Sequence, residues 1–304
     1  MKRVLLTGAT GFIGRHAVAS LVDKGYEVHA VSSKLAGFLE GGHSHCVNLL
    51  DSNATASLMD EIRPTHLLHF AWYAAPGKFW RSPENFRWLE ASIALLRHFR
   101  AAGGQRAVMA GTCAEYDWDY GYCSEAVTPC RPATPYGVCK NALQETLRAY
   151  SAEENLSSAW GRIFFLYGPN ENPARLVSSV TSSLLRGDIA RCSHGNQMRD
   201  FMHVEDVATA FVELLDSTVQ GAVNIASGRP LAVREIVLMA AEYIGAQDRV
   251  RFGVIPEPEH EPPLLAGNNR RLSNEVGWNQ QRDIRIGIEQ TVDWWISNLS
   301  KSTD

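Results

Sequence analysis

The chain has 304 residues, a net charge of −4 and no block of one charge sign. That length can hold an α/β domain with a smaller lobe and a core that needs no staples, while the charge excludes a duplex-binding surface and so a nucleic-acid partner. Cys46, Cys113, Cys123, Cys130, Cys139 and Cys192 form no C-x-x-C pair, and no stretch approaches a membrane span, so a soluble, cytoplasmic protein with free thiols is expected.

Val4, Leu5 and Leu6 read as a short buried strand that runs into Gly8, Gly11 and Gly14. Gly8 permits a tight turn, Gly11 lets a ligand approach the backbone, and Gly14 lets the following helix lie flat on the strand. The helix start, with Phe12 and Ile13 beside the glycines, offers backbone N–H groups to a pyrophosphate. Ile13, Ala17 and Leu21 share one helix face, and Gly25 sits where a C-cap belongs. A second strand over 27–31 completes a strand, glycine turn, helix and strand.

Further along, a third strand falls within 41–51, a fourth within 65–71, a long helix over 83–102 and a fifth strand within 105–116. The segment 115–122, EYDWDYGY, reads as a substrate-lining loop, since aromatic rings and carboxylates both suit sugars. A helix starts at Tyr136 and runs to about residue 152, and a sixth strand covers 160–166. Turn residues over 167–173 mark the boundary between lobes. Helices over 176–186, 204–215, 233–244 and 284–299 follow, with a short strand over 222–226 and a proline-rich loop over 256–263. His43, His45 and Cys46 are possible zinc ligands, but no second ligand pair stands at usable spacing, so no metal is expected.

The spacing G-x-x-G-x-x-G in TGATGFIG resembles the signature of the extended short-chain dehydrogenase/reductases, many of which act on nucleotide-activated sugars. Tyr136 and Lys140 form a second motif. Four apart on a helix, they share a face, and an ammonium near a phenol should lower its pKa from about ten toward the range of general acid–base work. The resemblance adds a third member, Thr112, four residues before Tyr116, whose hydroxyl would bond the reacting sugar oxygen and the Tyr136 phenol.

The resemblance implies a Rossmann doubly wound parallel sheet with a smaller C-terminal substrate-binding lobe. The cofactor domain would span 1–168 with 202–226 returning to it, and the nucleotide-sugar lobe 169–201 and 227–304. Cofactor contacts would come from the glycine turn, from Asn48 and Leu49 near the adenine, from Phe70, Ala71 and Trp72 after the fourth strand, and from Tyr136 and Lys140. Ser32, Ser33 and Lys34 end the second strand without the carboxylate usual in NAD sites, which favours NADP(H) over NAD(H). Substrate contacts would come from Cys113, Glu115, Arg175 and Arg199. Dehydratases of the family carry Thr-Asp-Glu; here Cys113 and Ala114 follow Thr112, which demotes that activity. The expectation is an NADPH-dependent 4-ketoreductase of a nucleotide 4-keto-6-deoxyhexose, with an NAD-dependent 4-epimerase as runner-up and a non-catalytic NADP-binding scaffold third. A homodimer is expected by family analogy.

Overall fold

A computed structural model describes residues 2–33, 42–256 and 261–299. Seven parallel strands form the central sheet: β1 (Arg3–Thr7), β2 (Glu27–Ser32), β3 (His43–Cys46), β4 (His66–His69), β5 (Arg106–Thr112), β6 (Ser157–Ile163) and β7 (Gly221–Ile225). Their spatial order is β7-β6-β5-β4-β1-β2-β3. The chain winds outward from β1 to β3, then returns to the other side of β1 and winds outward again. The reversal opens a crevice at the carboxyl ends of β1 and β4, the place where such sheets bind ligands.

Alternation along the strands divides the core into two layers. Val4, Leu6, Val28 and Ala30 face helices α1 (Gly14–Asp23) and α6 (Val204–Asp216). Leu5, Val31, Leu67 and Met109 face α2 (Ser52–Ile62), α3 (Glu84–Ala101) and α4 (Pro135–Glu153). A smaller assembly packs α5 (Leu176–Leu185), α7 (Val233–Ile244) and α8 (Ile284–Leu299) around Tyr167, Ile236 and Ile288. All six cysteines are free thiols. Among the described residues no helix is long and apolar enough to cross a membrane.

Two segments depart from the sequence reading. The single strand expected over 160–166 is two: β6 stays in the main sheet, and Phe165–Tyr167 leaves it to pair in parallel with Phe201–His203. The apolar run WGRIFFL is buried on both sides of the break, so hydrophobicity gives no sign of it. The stretch before α6, to which the sequence reading assigns no element, forms two short strands, Met198–Arg199 and Phe201–His203, which tie the lobe to the main body.

Candidate active site

The glycine turn has the form its residues dictate. Gly8 adopts φ +67°, and a Cβ there would stand 2.8 Å from the Ala71 nitrogen, so β1 and the segment after β4 touch backbone to backbone. A Cβ on Gly14 would lie 2.2 Å from the Gly8 carbonyl oxygen, so only glycine lets α1 start this close to the turn. At Gly11 the nearest obstacle to a Cβ is that same oxygen at 3.0 Å, and Gly11 is exposed, which leaves its outer side open to a ligand. The N-cap of α1 is Ile13, with no side-chain cap. The first-turn N–H groups therefore lack the usual side-chain acceptor and suit a phosphate. This cradle fits the pyrophosphate of a dinucleotide.

A buried hydrogen-bond chain holds the crevice floor. Ser92 Oγ donates to the Trp88 carbonyl at 2.7 Å, so it accepts from His69 Nε2 at 2.9 Å. His69 Nδ1 then accepts from Thr7 Oγ1 at 2.7 Å, and Thr7 in turn accepts from the Ala71 N–H at 3.3 Å. Burial pushes the His69 pKa down to about 3, so the ring is neutral and the chain keeps one direction. It fixes the ends of β1 and β4 against α3. Phe70 lies edge-on to Phe211 with centroids 4.9 Å apart.

The three residues singled out for chemistry converge here. Thr134 caps α4 by accepting from the Gly137 N–H at 3.2 Å, with Pro135 at the first turn, so the helix begins one residue before Tyr136. A Cβ at Gly137 would lie 2.4 Å from the Ala114 carbonyl oxygen, so the helix start presses on the turn that follows β5. That contact brings Tyr136 beside Thr112, close enough for the hydroxyl to oppose part of the rise in the phenol's pKa. Thr112 Oγ1 accepts from the Ala114 N–H at 3.2 Å. A hydroxyl with one proton and two lone pairs can serve both groups. One turn further along α4, Lys140 is buried, donates to the Ala110 carbonyl at 2.9 Å and stands 3.8 Å from the centre of the Trp72 ring.

The electrostatics differ from the sequence expectation. Burial raises the Tyr136 pKa above that of a free phenol, and the Thr112 hydroxyl opposes this only in part. Burial also pushes Lys140 down to about 7. The ammonium that was to depress the phenol is thus itself half-discharged near neutrality. Desolvation dominates at both groups, and the charge that opposes it at Lys140 is that of Glu115.

Of the expected cofactor contacts, Ser32 ends β2, the exposed Ser33 follows it, and Lys34 lies outside the described residues. Asn48 is exposed just past β3, and its side-chain oxygen accepts from the Leu50 N–H at 3.1 Å, which leaves the amide NH₂ for an adenine nitrogen. The Leu49 side chain is core, so this residue offers a ligand its backbone.

On the substrate side, Glu115 is corrected. It is fully buried, and its carboxylate accepts from Arg162 Nε at 2.7 Å, Trp160 Nε1 at 2.9 Å and the Thr112 N–H at 2.8 Å. It is the strut that positions Thr112. Cys113 is also buried, packed with Tyr116, Cys123 and Phe164. Arg175 caps the start of α5, lies 5.3 Å from the Phe79 ring and is close enough to Tyr136 to lower its pKa. Arg199 is buried, with its guanidinium engaged by the Met198 carbonyl and by Glu261. The proline-rich loop over 256–263 thus supplies an acid to Arg199.

Sequence reasoning missed two features. Phe79 and Trp80 stand edge-on to Tyr136, with centroids at 4.8 and 5.6 Å, and Trp80 faces Trp118 at 6.2 Å, a half-buried aromatic wall. The density of aromatics in KFWRSPENF and EYDWDYGY was the available signal. Glu171, in the turn after Tyr167, is buried, accepts from Ser178 Oγ at 2.8 Å and has its pKa pushed up to about 7. Nothing in YGPNENP marks it as buried.

Comparison with known proteins agrees with this geometry. The chain is 26% identical over 276 residues to a dTDP-6-deoxy-L-talose 4-dehydrogenase (NAD(+)) of Aggregatibacter actinomycetemcomitans, spanning 87% of this chain and 98% of that protein. It is 27% identical over 316 residues to a UDP-glucose 4-epimerase of Mycolicibacterium smegmatis, spanning 96% and 98%. The crystal structure of the Thermus thermophilus UDP-glucose 4-epimerase in complex with NAD superposes with a TM-score of 0.88 at 27% identity, covering 97% and 99% of the two chains. Residues 4–226 match the model of one family, and the chain belongs to it: the NAD dependent epimerase/dehydratase family, within the extended short-chain dehydrogenase/reductases.

Proposed function

We propose that the protein catalyses NADPH-dependent reduction of the 4-keto group of a nucleotide-activated 4-keto-6-deoxyhexose. The observation that carries this reading is the Thr112–Tyr136 pair, followed by Cys113 and Ala114 where a dehydratase needs carboxyls. When bound, the nicotinamide supplies the hydride. The phenol of Tyr136 gives its proton to the oxygen of the ketone as that oxygen gains charge, and Thr112 steadies the same oxygen. Lys140 holds the nicotinamide ribose, and Arg175 is the candidate for the phosphates. A raised phenol pKa keeps Tyr136 protonated at neutral pH, as a proton donor must be.

The absence of a carboxylate at Ser32 and Ser33 supports NADP(H); the relative named with NAD(+) makes NAD(H) the alternative. We assign the cofactor to 1–168 with 202–226 and the sugar nucleotide to 169–201 and 227–304. The exposed Phe86 on α3 and Val138 on α4 support a homodimer through these helices.

A second reading, 4-epimerase, is favoured by the UDP-glucose 4-epimerases among the similar proteins. One assay separates them. Purified protein is mixed with NADPH or NADH and a panel of nucleotide 4-keto-6-deoxysugars and, separately, with UDP-glucose. Net nicotinamide oxidation supports the reductase, and sugar interconversion without it supports the epimerase. A flat trace with tight cofactor binding supports a scaffold. Tyr136→Phe should abolish turnover and leave cofactor affinity nearly intact; retained turnover removes Tyr136 as the acid.

A further inference from the structure

Glu27 and His29 alternate along β2, and His43 and His45 along β3, so all four side chains leave the sheet on one face. The parallel register pairs His29 directly with His43. This supplies the second ligand pair that the sequence around His43 lacked. It also excludes Cys46, which alternation turns to the other face.

The distances are those of a nearly formed metal site. Glu27 Oε1 lies 3.1 Å from His29 Nε2 and 3.8 Å from His43 Nε2, and the three atoms all fall within 4.8 Å of one another. Ligand atoms around a tetrahedral zinc, with bonds of about 2.0–2.1 Å, stand about 3.3 Å apart. The His29 and His43 rings stack with centroids 4.8 Å apart, so the exposed His43 ring must rotate to turn its nitrogen toward the ion.

The outer partners are also in place. Glu27 Oε2 accepts from Arg3 Nε at 3.2 Å, which leaves Oε1 for a cation. His29 Nδ1 faces His45 Nε2 at 2.9 Å. A metal on Nε2 leaves the His29 proton on Nδ1, where it donates to His45, the arrangement that orients metal-bound imidazoles. His29 is buried, whereas the His43 side chain is 64% exposed and gives an ion its way in.

We propose that Glu27, His29 and His43 hold a divalent zinc ion, with water as fourth ligand, and that the ion staples the edge strand β3 to β2. β3 is four residues long and ends the sheet, so it has one neighbour to hold it.

The test uses the untagged full chain, stripped with a chelator and titrated with zinc chloride by calorimetry, alongside a thermal-shift series. One zinc should bind per chain and raise the melting temperature, while magnesium should do neither. His43→Gln, at an exposed position, should keep the circular dichroism spectrum and lose at least about 100-fold in zinc affinity; His45→Gln should lose about 10–100-fold through the outer partner. Cys46→Ser should change nothing. No zinc bound by the wild type, equal binding by His43→Gln, or loss of binding in Cys46→Ser would each overturn the assignment.

Discussion

Replacing Lys140 with Met should give a more stable, inactive protein. The Lys140 ammonium is buried, and its pKa is pushed down to about 7 from its ordinary value of 10.5. At about 1.4 kcal/mol per pKa unit, that gap corresponds to about 5 kcal/mol of lost hydration for the charged form. The folded pKa lies below the unfolded one, so folding disfavours the proton. The penalty is complete below about pH 7 and fades as pH rises through about 10.5. Two contacts offset it: the bond to the Ala110 carbonyl at 2.9 Å and the Trp72 ring at 3.8 Å. Each contributes about 1–2 kcal/mol. The net gain from Lys140→Met is then about 2 kcal/mol at pH 7.5, or about 4 °C in melting temperature. Urea unfolding and thermal melts of both proteins at pH 7.5 and pH 10 measure it, with turnover followed in parallel. A variant no more stable at pH 7.5, or a stability gap that fails to narrow toward pH 10, would refute the account of a desolvated ammonium.

Thr112→Val removes both the hydroxyl beside the Tyr136 phenol and the cap on Ala114; kcat should fall about 10²–10³-fold with KM little changed, at a stability cost of about 1 kcal/mol. Glu171 titrates in the opposite sense to Lys140. Its folded pKa, about 7, lies above the ordinary 4.5, so the stability it contributes is fully present below about pH 4.5 and is lost as pH rises to about 7. Glu171→Gln should therefore be neutral in acid and stabilise by up to about 3 kcal/mol at pH 8, read from urea midpoints across pH. Glu115→Ala leaves Arg162 buried without its partner; it should cost about 3–5 kcal/mol in unfolding free energy. A raised substrate KM with stability intact would instead return Glu115 to the substrate site.

The sequence carried the fold wherever one local rule fixed one local shape. Gly8, Gly11 and Gly14 could be read because each answers a steric demand of a single turn, and Tyr136 and Lys140 because helix geometry makes residues four apart neighbours. What stayed hidden depends on packing between distant segments. Glu115 sits among aromatics and carboxylates that suit a sugar, but β6 brings Arg162 and Trp160 across the sheet and draws it into the core. Phe165–Tyr167 leaves the sheet because Phe201–His203 offers a better partner, and no pattern within either segment says so. The charge on Lys140 failed for the same reason. The spacing puts an ammonium near a phenol, but only the walls around it decide whether it stays charged.

Those walls bear on the direction of the chemistry. Around the crevice, burial moves Tyr136, Lys140 and Glu171 each toward its neutral form at pH 7. A phenol kept protonated is ready to give a proton, and an alkoxide, being a much stronger base than a phenolate, takes it downhill. The reverse step needs a phenolate, which a raised pKa makes scarce at neutral pH. At neutral pH a raised phenol pKa favours proton donation to a ketone oxygen over proton removal from an alcohol. An epimerase must run both steps in every turnover. A reductase needs the first alone, so the pH dependence of the two directions separates the two proposed readings.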